Sequence, residues 1–198
     1  MNKIKYFLDL IDFEHTLFGL PFAFLGACLA AGGIPSLNKI IWITIAMIGA
    51  RTAALCLNRL IDYDFDKANP RTAKWVLPSG KLSKNPVWGV TLIFLALLFW
   101  AAYQLNWLCF ILAPAAVAAL VFYSYAKRFT WWCHLILGLT IGLGPIGSWI
   151  AITGAIDSRS FLLGLAVAAW IAGFDTMYAC QDISFDRKQG LYSIPARF

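Results

Sequence analysis

Hydrophobic positions fill this chain in six long blocks, and the polar positions between the blocks set its architecture. The blocks fall at about 16–34, 39–60, 86–105, 107–126, 133–154 and 160–181. Each is near the roughly 20 apolar residues that a helix needs to cross a bilayer. Backbone groups cannot be left unpaired in lipid, so the pattern predicts six spanning helices and an all-α integral membrane bundle. Before the first block, Lys3 and Lys5 alternate with Ile4, Tyr6, Phe7, Leu10 and Ile11, which predicts a short interfacial helix over residues 1–14, with Glu14 and His15 leading into the bilayer. Asp9 and Asp12 interrupt the apolar run that a cleavable leader would need.

Composition agrees with the pattern and excludes a soluble domain: 61% of the 198 residues are hydrophobic and 13% charged, with a mean hydropathy of +0.71. The whole chain reads as one transmembrane domain, residues 1–198. A net charge of +6 would suit nucleic acid if it were spread over a surface, but it is confined to loops. Lys3, Lys5, Lys67, Arg71, Lys74, Lys81, Lys84, Lys127, Arg128, Arg187, Lys188 and Arg197 fall on one side of the predicted spans, against Lys39 and Arg159 on the other. The positive-inside rule therefore predicts a protein of the cytoplasmic (inner) membrane, with its termini and even-numbered loops cytoplasmic and no role for nucleic acid. The five cysteines lie in or beside apolar runs without C-x-x-C spacing and read as buried hydrophobes, not as disulfides or zinc ligands. Gly and Pro within the first and fifth blocks, among them Pro21, Gly138, Gly142 and Pro145, read as close helix packing. Trp42, Trp131 and Trp132 read as interfacial anchors.

The candidate chemistry lies where two spans end. Asn58, Asp62 and Asp66 follow four-residue steps and so share one helix face, with Arg51 seven residues deeper on the same face. Asp175, Tyr178, Asp182 and Asp186 form a second stripe at the end of the sixth span. Charge sidedness puts both stripes on one face of the membrane. Carboxylate and amide oxygens suit Mg²⁺, which is held by one or two carboxylates together with substrate phosphates. Arg71, in a Pro- and Gly-punctuated loop, offers a planar fork to phosphate oxygens. Tyr123 and Lys127, with Arg128 beside them, present a polar ring and cations at the same level. Arg59 and Asp64 lie off the first stripe and are predicted to face solvent. Two acidic stripes among cations, enclosed by an apolar aromatic wall, suit a metal-bound diphosphate carried on an isoprenoid tail. Ionising its C–O bond would yield an allylic cation for a nucleophile.

Asn58-x-x-x-Asp62-x-x-x-Asp66, Asn69-Pro70-Arg71-Thr72 with Leu77-Pro78-Ser79-Gly80, Tyr123-x-x-x-Lys127-Arg128 and Asp182-x-x-x-Asp186 occur in this order. Together they resemble the UbiA superfamily of intramembrane prenyltransferases over nearly the whole chain. The resemblance implies a nine-helix bundle, of which this chain holds six helices and stops about three short. It also implies that Asp62, Asp66, Asp182 and Asp186 are catalytic and, with Asn58, hold Mg²⁺, while Asn58, Arg71, Tyr123, Lys127, Arg128, Asp175 and Tyr178 bind substrate. The stretch from Tyr123 to Thr130 and the Asp175 stripe look like the 4-hydroxybenzoate polyprenyltransferase branch, including relatives proposed to prenylate a dihydroxynaphthoate on the futalosine route to menaquinone. The implied partners are a polyprenyl diphosphate, a small aromatic acid and the bilayer, with no obligate protein partner. Trp75 departs from the pattern, standing where the family usually places Arg. Two rival readings differ in kind: an ion transporter, which needs its carboxylates near mid-bilayer, and a non-catalytic membrane subunit.

Overall fold

Each apolar block is a helix in the computed structural model, which describes residues 3–11 and 13–198, with side chains at 6–11 and 19–198. The expectations placed on the side chains of Lys3, Lys5, Asp12, Glu14 and His15 fall outside the described residues. A short helix α1 (Lys3–Ile11) precedes α2 (Phe13–Ala31) and α3 (Leu37–Ile61). Next come the short α4 (Tyr63–Ala68), then α5 (Lys84–Leu105), α6 (Trp107–Ala126), α7 (Cys133–Thr153) and α8 (Ser158–Ala179). The chain closes with α9 (Ile183–Gln189) and α10 (Ile194–Arg197). No strand occurs among the described residues. Among the described residues, five helical stretches are long and apolar enough to cross a membrane: α3, α5, α6, α7 and the run Ser158–Gln189 that holds α8 and α9. The first block gives α2, a 19-residue helix that ends three residues earlier than predicted, where Gly32 takes a φ of 65°.

Helix pairing follows the small residues. The main contacts run between α7 and α8, between α3 and α5, and between α2 and α7. A Cβ added at Gly142 of α7 would stand 2.5 Å from the Gly164 carbonyl oxygen of α8, and one added at Gly26 of α2 would strike the backbone of Pro145. Packing of backbone on backbone is what holds helices together where lipid is as apolar as leucine. Outside these seams the bundle turns large hydrophobic side chains outward: Trp100 is 63% exposed, Leu162 68% and Trp170 65%. In water that surface would aggregate, but against acyl chains it is the expected outer face. Trp42, read as an interfacial anchor, is half-buried and packs against a core of Ala23, Ala27, Ile43 and Leu105.

The bundle is tied at one end by polar side chains. Lys39 Nζ donates to the carbonyls of Leu105 (2.7 Å) and Ala151 (2.8 Å), and Asn106 Nδ2 donates to that of Ile150 (2.8 Å). These carbonyls sit in the last turns of α5 and α7, where helix ends lack backbone donors and favour a cation. The opposite end stays open and carries the acidic residues.

Candidate functional site

The two acidic stretches share one backbone device. Asp62, with φ −91° and ψ 8°, separates α3 from α4, and Asp182, with φ −111° and ψ 7°, ends a 3₁₀ turn (Cys180–Asp182) ahead of α9. In the first stretch the break does not disturb the stripe. Asp62 N donates to Asn58 O and Asp66 N to Asp62 O, both at 2.8 Å, so the four-residue register survives. Both stretches open onto one cavity of about 360 Å³. Its lining includes Asn58, Asp62, Asp66, Arg71, Tyr123, Lys127, Asp175, Tyr178, Asp182 and Asp186, so ten of the eleven residues singled out from sequence meet there, and Arg51 joins them. The eleventh, Arg128, stands behind Asp62, with Nη2 3.5 Å from Oδ1 and 2.6 Å from the Ile61 carbonyl oxygen.

Two of these carboxylates, Asp62 and Asp182, are each held by a cation and an amide. Lys127 Nζ lies 2.7 Å from Asp62 Oδ2, which also accepts from Asn58 Nδ2 at 3.0 Å. Arg71 forks onto Asp182, with Nε 3.0 Å from Oδ1 and Nη2 on Oδ2, while Asn69 Nδ2 donates to the same Oδ1 at 2.9 Å. That carboxylate raises the pKa of the Arg71 guanidinium further still. Ser193 Oγ donates to Asp186 Oδ2 at 2.9 Å. Asp66 is served least. Arg59 Nη1 reaches only to 4.0 Å, and burial pushes its carboxyl up to about 6 against the pull of Arg59 and Lys127. Asp62 Oδ1 and Asp66 Oδ2 are both buried without a hydrogen-bond donor. Buried acceptors of this kind are costly and point to a ligand.

The charges are closely matched. Five aspartates (Asp62, Asp66, Asp175, Asp182, Asp186) and four permanent cations (Arg51, Arg59, Arg71, Lys127) line the cavity. A bare polyanion would meet the carboxylates and a bare metal ion the cations, whereas a metal-bound anion suits both. Among the described residues no three His, Cys, Asp or Glu side chains converge to hold a metal by themselves.

Arg59 corrects the sequence reading. Predicted to face solvent, its side chain is 13% exposed and stacks on Trp75 with 3.5 Å from its guanidinium carbon to the ring centroid. Asp64 is exposed as expected. Sequence reasoning missed Asn69 and Ser193 as partners of the second stretch, and it missed His134, whose Nδ1 lies 2.7 Å from Asp175 Oδ2. An ionisable residue inside a span was the available signal for His134.

Comparison with known proteins gives consistent matches. The sequence profile of the UbiA prenyltransferase family matches residues 19–198. A 4-hydroxybenzoate octaprenyltransferase of Francisella tularensis subsp. novicida (strain U112) is 34% identical over 175 residues, covering 86% of this chain and 60% of the relative. A mitochondrial 4-hydroxybenzoate polyprenyltransferase of Caenorhabditis elegans is 33% identical over 168 residues, covering 84% of this chain and 47% of the relative. The chain thus spans about 60% or less of the length of these curated relatives. Among solved structures, the apo form of a UbiA homolog from Aeropyrum pernix K1 superposes with a TM-score of 0.86 at 39% identity, covering 92% of this chain and 69% of that one. A UbiA homolog from Archaeoglobus fulgidus, solved bound to DMAPP and Mg²⁺, shares the fold with a TM-score of 0.76 at 24% identity, covering 96% of this chain and 68% of that one.

Proposed function

We propose, from the premise that this chain belongs to the UbiA prenyltransferase family, that it serves Mg²⁺-dependent transfer of a polyprenyl group from polyprenyl diphosphate to an aromatic acid such as 4-hydroxybenzoate in quinone biosynthesis. The observation that carries this reading is the matched charge of the cavity, with two buried carboxylate oxygens, Asp62 Oδ1 and Asp66 Oδ2, lacking a donor. The donor set suits Mg²⁺: Asn58, Asp62, Asp66, Asp182 and Asp186 would hold it, and it would supply positive charge to the departing diphosphate.

The chain's own residues do the rest. Arg71 and Lys127, now on Asp182 and Asp62, take phosphate oxygens in exchange for carboxylate oxygens and hold the head group in register, while Arg128 stays behind Asp62 and supports that carboxylate. Leu137, Ile141, Ile171 and Phe174 give the cavity an apolar wall for the first isoprene units and keep water from the cation formed there. Tyr123, Tyr178 and Asp175 supply polar groups for the aromatic acid. A transporter reading draws no support from the fold, since Asp62, Asp66, Asp182 and Asp186 lie where α3 and α8 end. We place the protein in the cytoplasmic membrane with the cavity mouth inward, on the distribution of Lys and Arg.

Membranes containing the protein are incubated with radiolabelled prenyl diphosphate and either 4-hydroxybenzoate or 1,4-dihydroxy-6-naphthoate, with Mg²⁺ or with chelator. The expected result is a prenylated acid that forms only with the metal. Asp62→Ala and Asp182→Ala are each expected to lose about a hundredfold or more in transfer while inserting normally. Wild-type rates in either variant would refute the assignment.

A further inference from the structure

His134 belongs to none of the motifs that mark this chain, yet it is built into the cavity. It is the second residue of α7, is 4% exposed and lines the same cavity as the acidic stretches. Its Nδ1 lies 2.7 Å from Asp175 Oδ2, a distance that suits Nδ1–H donating to the carboxylate, while Nε2 is buried with no hydrogen-bond partner. Asp175 sits on α8, seven residues before Asp182 and so about two turns deeper. Among the described residues it makes no other hydrogen bond or ion pair, so its Oδ1 is unclaimed. An ionisable pair within a span is expensive to keep for packing alone. The carboxylates nearer the mouth are committed elsewhere, Asp62 to Lys127, Asp182 to Arg71 and Asp186 to Ser193. Asp66 has no close donor either, but it belongs to the set proposed to hold Mg²⁺; Asp175 is the carboxylate outside that set, backed by an imidazole and set beside the apolar wall.

We infer that Asp175 is the base that removes the ring proton in the alkylation and that His134 is the positioning residue that holds it, an inference that rests on the prenyltransferase reading above. In that reaction the C1–O bond of the prenyl diphosphate breaks and its electron pair leaves on the diphosphate. A π pair of the aromatic ring forms the new bond to C1. The C–H bond at the attacked carbon then breaks, its pair restores aromaticity, and the proton passes to Asp175 Oδ1. The carboxylate becomes a neutral acid, Nδ1–H of His134 keeps its bond to Oδ2, and no oxidant or reductant is needed. The imidazole fixes the carboxylate's plane and leaves Oδ1 as the oxygen available to the proton.

The test separates release of diphosphate from alkylation of the ring, using geranyl diphosphate, Mg²⁺ and whichever phenolic acid the wild type accepts. Asp175→Asn is expected to slow alkylation by about 10²–10⁴-fold and to raise the ratio of diphosphate released to ring alkylated by a similar factor. His134→Leu is expected to shift both quantities the same way, less far. His134→Asn, whose amide offers a donor near the place of Nδ1, is expected to recover most of the loss. In the slow variants an acceptor deuterated at the attacked carbon gives a primary isotope effect that the wild type lacks, because proton removal has become the slow step. Unaltered alkylation in Asp175→Asn, equal loss of release and alkylation, or slow variants without the isotope effect each overturn the inference. A wild type that releases no diphosphate and alkylates none of the acids overturns instead the functional reading on which it stands.

Discussion

Trp75 shows how much one side chain organises. Its ring carries the Arg59 guanidinium at 3.5 Å and that of Arg71 at 5.4 Å. Arg59 reaches toward Asp66 and Arg71 grips Asp182, so one indole links the cations of both acidic stretches. Each stacking contact is worth about 0.5–2 kcal/mol. Trp75→Ala is therefore expected to raise the KM for prenyl diphosphate several-fold with a smaller change in kcat, and Trp75→Phe to raise it less, as steady-state kinetics would show. Sequence alone revealed a position without the family's cation. It could not reveal that the indole seats two other cations, because Arg59 arrives from the preceding span and neither contact follows a local spacing rule. The aspartates were legible for the opposite reason: steps of four fix a shared face on any helix, whatever packs against it.

Among the elements, the spans were readable nearly to their ends, since twenty apolar residues in a row leave few alternatives. The breaks at Asp62 and Asp182 were not, because a four-residue stripe looks the same whether the helix is continuous or interrupted. Lys39 was legible only as a charge on the sparser side. In the fold it ties the last turns of α5 and α7 together, a pairing of residues far apart in sequence. Lys39→Met is expected to cost about 1.5–3 kcal/mol, the worth of hydrogen bonds from a charged donor. Its melting temperature in detergent should fall while transfer per folded molecule holds. Gly142→Ala attacks the α7–α8 seam, where the new methyl would be driven into the Gly164 backbone beside the Ala168 methyl. Overpacking of this kind costs about 1–3 kcal/mol, and because α8 carries Asp175 and leads into Asp182, thermal stability and transfer should decline together.

For the whole molecule, hydropathy and charge supplied the class and the proposed orientation, and motif order pointed to the family. What they could not supply was closure: that loops and helix ends from four parts of the chain meet around about 360 Å³. The orientation can be checked without reference to activity. With a membrane-impermeant maleimide, Ser79→Cys, in the exposed loop beside the cavity, is expected to label in inside-out vesicles and Ser158→Cys in right-side-out ones, each measured against the wild type. The reverse pattern would turn the cavity mouth to the other side.

The acidic stretches follow directly on the apolar helices α3 and α8, at the level where a spanning helix meets the membrane interface. A lipid whose head group lies at that depth reaches the cavity by sliding within its own leaflet, and it never has to be lifted into the aqueous phase. Its encounter with the protein is two-dimensional, so the governing concentration is its mole fraction in the bilayer. Diluting the membrane with inert phospholipid, at constant bulk amounts of protein and prenyl diphosphate, should then slow turnover in proportion to surface area.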